Sequence, residues 1–502
     1  MKPHKMYWAN FLHIYQPYDQ SKDVLERVIN ESYRPILRGI QERPDIKLTI
    51  NVSGALLELF DKYGYTDLID MLKDIGKDGR VEFTGSAKYH TFLPFLDSSE
   101  IERQIKINDE TNKFYLGSSW KPRGFFPPEM AFDEKIAPIL NNMGFEWVIL
   151  DEIAFSGIPE QVNYETLYKI PKTNLKVFFR ERRASNMIMA AVVRSSESLR
   201  EAMKDEMNKN RYLITAMDGE TFGHHRPGLE KTLFEIFDSK DFNLIRVSDI
   251  SDHFKKEVEV MPVRSTWASS AIDIEKGIQF LTWSDPSNEI HKKQKELADI
   301  VLAEVNKMDT SNPKFAEVRH MLDVSLASDQ YFWASAKPWW SVEQIEGGAH
   351  MFLETIRNIP NASAEALERT AKLYQEIVSM GFYWQRSGKI RDMYKEQNKI
   401  LRIPFRERTL EKGGEMATEY SAFINMMKDL EIKSRENGEY EKAILWRDAI
   451  HKLEHKTDIY DAINVIELLR MSIPNDEVDK TLEKYKEEYR KIRGGQPEQR
   501  GN

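Results

Sequence analysis

The stretch Tyr212-Leu-Ile-Thr-Ala-Met-Asp-Gly-Glu-Thr-Phe-Gly-His-His225 carries a continuous apolar run that ends abruptly in acidic residues, glycines and histidines. Such a run predicts a strand that is buried on both faces, as in a parallel sheet covered by helices. Gly219 permits a sharp turn directly after Asp218. The stretch therefore predicts a parallel strand whose carboxyl end presents an acidic side chain.

Similar apolar runs, each followed by a turn and a segment of helical period, recur through the first half of the chain. They predict further strands at residues 7–15, 47–52, 81–84, 124–126, 147–150, 177–180, 187–193 and 244–247. Crossover helices are predicted at residues 56–72, 133–143 and 198–208. Seven or more β/α units favour a closed or nearly closed barrel over an open sheet.

The hydrophobic pattern changes after residue 260. Longer segments of helical period follow at residues 288–308, 313–329, 341–357 and 362–380, and over most of residues 411–493. We therefore predict a β/α barrel over residues 1–260 and a helical domain over residues 261–405 that packs on the barrel and contributes to its cleft. A charged helical tail is predicted over residues 406–492. Residues 493–502 are polar and glycine-rich, which predicts a disordered end.

Composition excludes several classes of protein. The net charge is −9, and no run of five consecutive basic residues is present, so a nucleic-acid-binding face is not expected. The chain has no cysteine, which excludes disulfides, thiolate metal sites and a cysteine nucleophile. It has neither a secretory leader nor an apolar stretch of about 18 residues, so we expect a cytoplasmic protein that makes no membrane contact.

Five polar stretches follow apolar runs, at residues 13–17, 82–90, 126–130, 151–152 and 218–225. Reacting groups of a β/α barrel lie at such strand ends. Glu129 follows two prolines, which stiffen its backbone, and Asp218 ends the strand quoted above. A pair of carboxyls can cleave a glycosidic bond, one attacking or activating water while the other protonates the leaving oxygen. Taken singly, either residue could equally be a helix cap or part of a loop ion pair.

The stretches, taken in order, resemble the motifs of glycoside hydrolase family 57, the α-amylase, 4-α-glucanotransferase and branching-enzyme family, over about residues 7 to 340. The matching segments are His13-Ile14-Tyr15-Gln16-Pro17, Gly79-Arg80-Val81-Glu82 through Tyr89-His90, Pro128-Glu129, Asp218 to His224, and Ser328 to Trp333. Two positions depart from the family pattern. Tyr15 stands where the first motif usually has His, and Gln330 stands where the fifth often has Trp.

The resemblance implies an α/β fold with an incomplete, seven-stranded parallel β/α barrel as the catalytic domain, retention of α-configuration, and no metal or other cofactor. It implies that Glu129 is the nucleophile and Asp218 the general acid/base. Substrate-binding residues are expected to be His13, Tyr15, Gln16, Glu82, His90, Trp120, Glu220, His224, Asp329, Trp333 and Trp340. The expected substrate is an α-glucan or maltooligosaccharide. Hydrolysis, transfer and branching remain open at this point, as do linkage, chain length and oligomeric state.

Two alternatives stay open. In the first, His13, His90, His224 and His225 gather with Asp218 around a metal ion, as in a metal-dependent carbohydrate hydrolase or deacetylase. In the second, the barrel binds glucan without catalysis and has a regulatory role.

Residues 431–454 resemble the short helical hairpin at the C-termini of bacterial excision-repair nuclease subunits, with Asn437-Gly438 as the turn. This resemblance implies a protein partner that binds the hairpin. An amphipathic hairpin that packs on its own domain explains the same pattern.

Overall fold

The computed structural model describes residues 6–191, 193–337, 339–393 and 417–455, together with residues 469, 472, 473, 477, 478, 480, 481 and 484. The chain divides into two compact units, Met1–His225 with Leu229–Arg391, and Arg226–Gly228 with Asp392–Asn502. The strands predicted in the first half and the helices predicted up to residue 391 thus belong to one unit. The predicted disordered end, 493–502, lies outside the described residues, and the predicted domain boundaries stay predictions.

Apolar runs form most strands of the first unit and are largely buried, whereas β10 is exposed. The strands are β1 (Tyr7–Ile14), β2 (Leu48–Val52), β3 (Val81–Thr84), β4 (Gly124–Phe125), β5 (Trp147–Asp151), β6 (Leu167–Lys169), β7 (Lys176–Arg180), β8 (Tyr212–Asp218), β9 (Asn243–Ile245) and β10 (Glu257–Glu259). All residues of β2 and β5 are buried, as expected for strands covered on both faces.

The strands form two sheets that curl toward each other. In the first, β1 pairs in parallel with β2, β8 and β9, and β3 pairs in parallel with β2. The second has the order β10-β6-β7-β5-β4, in which β6 and β7 are antiparallel. A bridge between Gly85 and Phe125 connects the β3 side to β4, and the Glu181 N–H donates to the Ile214 carbonyl between β7 and β8, at 2.9 Å. The predicted parallel β/α architecture is confirmed as a curled half-barrel, whereas the count of seven strands stays a prediction.

Helices connect the strands and then build the rest of the first unit. They are α1 (Lys22–Val28), α2 (Arg34–Gln41), α3 (Gly54–Tyr63), α4 (Thr66–Lys77), α5 (Ser98–Leu116), α6 (Ile136–Asn142), α7 (Arg182–Met189), α8 (Ser196–Ala202), α9 (Lys204–Met207), α10 (Leu229–Asp238), α11 (Ile250–His253), α12 (Ala271–Glu275), α13 (Glu289–Asn306), α14 (Phe315–Ser325), α15 (Asp329–Phe332), α16 (Val342–Arg357) and α17 (Ala364–Ser387). Within the described ranges, none of the helices combines the length and apolarity needed to cross a membrane.

Two local predictions are corrected. The apolar run 187–193 was predicted as a strand, but its first half belongs to helix α7, which Glu181 caps by accepting the Ala184 N–H. Helical spacing of the buried residues Ser185 and Ile188 accounts for the difference. The single helix predicted at 56–72 is two helices, α3 and α4, because Gly64 ends the first in a left-handed conformation, with φ 81°.

The second unit contains a helical hairpin, α18 (Ala417–Glu436) and α19 (Tyr440–His455). Gly438, between them, has φ 76°, a conformation that glycine adopts without strain. Buried side chains of the hairpin, including Phe423, Met427, Trp446 and Ile450, form an apolar cluster. The hairpin at 431–454 therefore has a core within its own unit.

Candidate active site

Glu129 lies just beyond the carboxyl end of β4, in the short turn Pro128–Met130. Its backbone is left-handed, with φ 61°, and that of Met130 is too, with φ 48°. Consecutive non-glycine residues in this region are uncommon and concentrate where surrounding contacts fix a functional geometry. The Glu129 side chain is 14% exposed. The turn thus presents a mostly buried carboxyl at a fixed angle from the strand end.

Trp267 and His90 contact the Glu129 side chain. The Trp267 indole N–H donates to Glu129 Oε2 at 2.6 Å, and the Trp267 backbone N–H donates to the Glu129 carbonyl at 3.1 Å. The Nδ1 atom of His90 lies 3.8 Å from Glu129 Oε1 and within hydrogen-bond distance of Ser328 Oγ, at 3.1 Å. Both Glu129 carboxyl oxygens therefore have polar neighbours.

Asp218 is the last residue of β8, directly before the turn Gly219–Thr221. Its register partner on β1 is His13. The His13 ring stacks on the rings of His90 and Phe126, with centroid distances of 5.1 and 4.6 Å. Since His90 contacts Glu129, the histidine pair connects the two predicted catalytic carboxyls within one cluster at the carboxyl ends of β1, β4 and β8.

His13 is held in one orientation by Asn51 of β2. Its Nδ1 atom lies 2.8 Å from Asn51 Oδ1, while the Asn51 amide nitrogen donates to Thr84 Oγ1 at 3.1 Å. An amide oxygen is an acceptor, so His13 donates from Nδ1 and keeps Nε2 as an acceptor. Burial lowers the pKa of His13 to about 4, and also lowers the pKa of His90, where the charge of His13 adds to the effect. Both rings are therefore neutral near pH 7.

Tyr15 and Asp329 form a second pair beside the cluster. The Tyr15 hydroxyl donates to Asp329 Oδ2 at 2.8 Å, and its ring stacks on His90 with a centroid distance of 4.2 Å. Burial raises the pKa of Asp329 to about 6, although the Tyr15 hydrogen bond opposes the shift. A cavity of about 380 Å³, including its open mouth, lies against Asp329 and is also lined by Tyr18, Tyr89 and Gln344.

Glu220 is held on the other side of Asp218. Its carboxylate accepts hydrogen bonds from the hydroxyl of Tyr33 and from the amide of Gln16, the latter at 2.9 Å. Burial raises the pKa of Glu220, and the charge of Asp218 raises it further. Gln16 and Glu220, both predicted to bind substrate, are thus brought together.

Burial also raises the pKa of both predicted catalytic carboxyls. That of Glu129 is raised to about 8 by burial and then by the charge of Asp218, while the Trp267 hydrogen bond opposes the shift. The pKa of Asp218 is raised by burial and held down by the guanidinium of Arg180. Because the charge on Asp218 disfavours ionisation of Glu129, the pair retains a proton near neutral pH.

Glu82 and Trp120 lie outside this cluster, and their roles in binding substrate stay predictions. Glu82 is the second residue of β3 and accepts hydrogen bonds from the Thr49 hydroxyl, at 2.8 Å, and the Ser248 N–H, at 3.0 Å. Trp120 precedes β4, packs in the apolar core and donates to Asp109 at 2.6 Å. Both lie toward the amino ends of parallel strands, whereas the cluster lies at the carboxyl ends.

The remaining predicted residues contact other partners. His224 lies 2.5 Å from Glu31 through Nδ1. Trp333 packs edge-on against Trp339, with centroids 5.9 Å apart, and Trp340 stacks on Trp384 of α17 at 5.8 Å. The structure therefore brings together His13, Tyr15, Gln16, His90, Glu129, Asp218, Glu220 and Asp329, and gives these three aromatic or imidazole side chains separate surroundings.

Sequence reasoning missed five residues that support the cluster, namely Tyr33, Asn51, Asp151, Arg182 and Trp267. The available signals were the place of Asp151 in the polar stretch 151–152 and the position of Arg182 just after the predicted strand 177–180. Trp267 lies in an irregular loop, 138 positions from its hydrogen-bond partner Glu129. No local pattern announces a contact of that span.

The predicted alternative with a metal ion requires converging ligands. Among the described residues, no group of three or more His, Asp or Glu side chains is arranged to hold a metal ion. The Nδ1 atoms of His13 and His90 are instead within hydrogen-bond distance of Asn51 and Ser328.

Barrel enzymes place their catalytic groups at the carboxyl ends of the strands, where this half-barrel has its buried carboxyls, and a pair of carboxyls suits the cleavage of a glycosidic bond. The sequence profile of glycosyl hydrolase family 57 matches residues 3–264, more than half of the chain, and the chain belongs to this family. The resemblance found from the motifs is thereby confirmed.

The chain matches two related enzymes over only part of their length. The chain is 24% identical over 305 residues to an alpha-amylase of Pyrococcus horikoshii, covering 57% of this chain and 46% of that protein. It is 28% identical over 145 residues to a 4-alpha-glucanotransferase of Thermococcus litoralis, covering 29% and 21%. The chain thus spans less than half the length of these relatives. A branching enzyme structure of this family from Pyrococcus horikoshii matches with a TM-score of 0.58 and 17% identity, over 75% of this chain and 95% of that one, and supports the fold.

Proposed function

We propose that the chain is a retaining glycosidase or transglycosidase of the α-amylase or 4-α-glucanotransferase type that acts on α-glucans. The observation that carries the proposal is that two mostly buried carboxyls, at the carboxyl ends of β4 and β8, lie in one cluster with the stacked rings of His13 and His90, and that the charge of Asp218 raises the pKa of Glu129. A buried pair of carboxyls lowers the stability of the fold, such pairs concentrate at functional sites, and glycosidic cleavage needs one.

In this proposal Glu129 attacks the anomeric carbon and forms a β-glycosyl-enzyme, while Asp218 donates a proton to the departing oxygen. Asp218 then removes a proton from the water or sugar hydroxyl that releases the glycosyl group. The Trp267 indole N–H fixes the attacking carboxylate by its hydrogen bond to Oε2, which leaves Oε1 for the sugar.

The proton that the pair retains has to be on Asp218 when the bond breaks. Without substrate, the charge of Asp218 favours the proton on Glu129, while Arg180 stabilises ionised Asp218. The proposal therefore includes transfer of one proton from Glu129 to Asp218 before attack. The active form is the pair with a single proton.

The polar groups around the pair suit a sugar. The buried Nε2 atom of His90 has no hydrogen-bond partner within the described ranges, and His13 Nε2 is an acceptor by the tautomer argument above. Tyr15, Asp329, Gln16 and Glu220 add hydroxyl, carboxylate and amide groups. We assign these side chains to the sugar subsite at the cleavage point, and the cavity beside Asp329 to the next glucose unit.

Trapping the covalent intermediate tests the proposal. A fluorinated α-glucosyl fluoride slows hydrolysis of the glycosyl-enzyme, and peptide mass spectrometry should then find the sugar on Glu129. Glu129→Gln should show no adduct, and Asp218→Asn should lose turnover of maltoheptaose. A non-catalytic glucan-binding protein would bind maltoheptaose without turnover or adduct, which would reject the proposal.

Products from maltoheptaose separate the finer assignments. Shorter sugars alone indicate hydrolysis, longer linear sugars indicate transfer, and new branch points indicate branching. The balance depends on how well a sugar competes with water at the acceptor side of the glycosyl-enzyme.

We further propose that the barrel is the incomplete, seven-stranded kind, formed by β1, β2, β3, β4, β5, β7 and β8, and that it carries catalysis. The Gly85 to Phe125 bridge and the Glu181 to Ile214 hydrogen bond support this strand set. The hairpin of α18 and α19 remains a proposed site for a protein partner, supported by the exposed side chains of Tyr440 and Ile444, which are 69% and 48% accessible.

A further inference from the structure

Asp151, the last residue of β5, is almost completely buried, with 1% exposure, and contacts two arginines. Its Oδ2 atom accepts a hydrogen bond from Arg180 Nη1 at 2.7 Å, and its Oδ1 atom accepts one from Arg182 Nε at 2.5 Å. A buried carboxylate between two guanidinium groups fixes both of them, because each bond is charge-assisted.

Arg180 connects Asp151 to the strand that carries Asp218. Its Nε donates to the carbonyl of Ala216, two residues before Asp218 on β8, at 2.7 Å, and its Nη2 donates to Asn186 at 3.0 Å. The positive charge of Arg180 also acts on Asp218. One arm of the network therefore ends at the proposed acid/base.

Arg182 connects Asp151 to the loop that contacts Glu129. Its Nη2 donates to the carbonyls of Trp267 and Ser269, at 2.9 and 2.8 Å, and so holds the loop that contains Trp267. The indole of Trp267 donates to Glu129 Oε2. The second arm therefore ends at the proposed nucleophile.

We infer that Asp151 is a positioning residue that couples the placement of both proposed catalytic carboxyls through Arg180 and through Arg182 with Trp267. The inference rests on the proposed function. Asp151 touches neither reacting carboxyl and acts only through the two arginines.

The inference has consequences for the pH dependence, which other charged groups also affect. The groups that face the network are Asp218, Asp329 and His90 around Glu129; Arg180, Glu129, Glu220 and Tyr33 around Asp218; and Arg180, Arg182 and Glu152 around Asp151. In Asp151→Asn, Arg180 loses its counter-charge and stabilises ionised Asp218 more strongly. Arg182 then holds the loop of Trp267 less firmly, so the Trp267 hydrogen bond stabilises ionised Glu129 less and the pKa of Glu129 rises.

The test is the pH profile of kcat/KM on maltoheptaose for the wild type and Asp151→Asn. We expect kcat to fall roughly 10- to 100-fold with KM nearly unchanged, because the reacting groups are misplaced. The acid limb should move to lower pH and the alkaline limb to higher pH. Arg182→Lys keeps the charge but loses the guanidinium hydrogen bonds to the carbonyls of Trp267 and Ser269. Since these bonds hold the loop that contacts Glu129, the variant should move only the alkaline limb of the pH profile. That variant decides the question if Asp151→Asn does not fold.

Asp323→Asn is the matched control. Asp323 is another buried carboxylate between two arginines, accepting from Arg103 Nη2 at 2.6 Å and Arg319 Nη2 at 3.0 Å, but it lies on α14. This variant should lose stability without moving either limb.

The inference would be overturned if neither Asp151→Asn nor Arg182→Lys moved a limb of the pH profile. It would also be overturned if Asp323→Asn moved the limbs as far as Asp151→Asn does. In both cases the proposed function would stand. A wild type without any turnover would reject the proposed function itself.

Discussion

The Tyr15 hydroxyl donates a 2.8 Å hydrogen bond to Asp329 Oδ2, and this bond connects the loop after β1 to the start of α15. Tyr15 occupies the position at which the resemblance leads one to expect His. A phenol remains neutral, donates one hydrogen bond and reaches farther than an imidazole. The bond thus joins two motifs that are 314 positions apart in the sequence.

Removing the Tyr15 hydroxyl should deprive the partly buried Asp329 carboxylate of its side-chain hydrogen-bond donor. We expect Tyr15→Phe to lower the free energy of unfolding by about 1–3 kcal/mol at pH 8, where Asp329 is ionised, as measured by urea denaturation. At pH 5, Asp329 is protonated in the folded state, since its pKa is about 6, and the loss should be smaller.

Tyr115→Phe is the control, because the Tyr115 hydroxyl donates to Asp61 at 2.9 Å on the surface. Water replaces that donor, so the destabilisation should be smaller than for Tyr15→Phe. Equal losses in the two variants would contradict a special role for the buried bond.

The pH profile of the wild type should be bell-shaped. The active pair carries one proton, so activity falls when both carboxyls are ionised and when both are protonated. The pKa of Glu129 places the alkaline limb near 8. Burial raises the pKa of Asp218, so the acid limb should lie above about 4, the ordinary value for such a side chain. Rates on maltoheptaose between pH 4 and pH 10 measure both limbs, and an alkaline limb below pH 7 would contradict the assignment.

The same burial should make Glu129 a cost to stability at high pH. Its pKa is about 8 in the folded chain and about 4.3 in the unfolded chain, so folding takes up a proton in that window. Stability therefore falls as the pH rises from 4 to 8, and the full cost is present above 8. Glu129→Gln removes the titrating group, and its stability relative to wild type should rise with pH to roughly 1–3 kcal/mol at pH 9.

Glu146→Gln should behave in the opposite way. Hydrogen bonding to Arg123 lowers the pKa of Glu146, so that carboxylate favours the folded state at neutral pH. Thermal melts of both variants from pH 4.5 to pH 9 provide the comparison. A Glu129→Gln variant that is less stable than wild type at pH 9 would contradict the burial argument.

Strand direction explains which site residues could be predicted from the sequence. Asp218 ends an apolar run, His13 lies one residue before the end of another, and Glu129 lies in the short turn after a third. Parallel strands bring their carboxyl ends to one edge. Glu82 and Trp120 were assigned by motif or by residue type, although Glu82 is the second residue of a strand and Trp120 precedes one. The strand-end rule alone does not select either residue.

The supporting contacts could not be predicted, for a different reason. Trp267 reaches Glu129 from an irregular loop, and Asp151 holds that loop through Arg182, so each contact depends on tertiary structure rather than on local period. Helix α7 shows the same limit within the fold. Its apolar run suits either a strand or a buried helix, and capping by Glu181 favours the helix.

The turn after β8 should depend on Gly223. Its φ is 109°, and a Cβ atom built there would lie 1.8 Å from the Glu31 carbonyl oxygen, so Gly223→Ala requires the backbone to move. This residue lies between the proposed Asp218 and the His224 contact to Glu31. We expect Gly223→Ala to destabilise the fold by more than 2 kcal/mol, roughly twice the cost of left-handed strain alone, and to lower kcat.

Gly144→Ala is the control, because Gly144 has φ 86° but nothing within 4 Å of the added Cβ, so only the strain remains, about 1 kcal/mol. Thermal unfolding of the two variants measures the difference, and equal melting temperatures would show that the close approach to Glu31 does not constrain the turn.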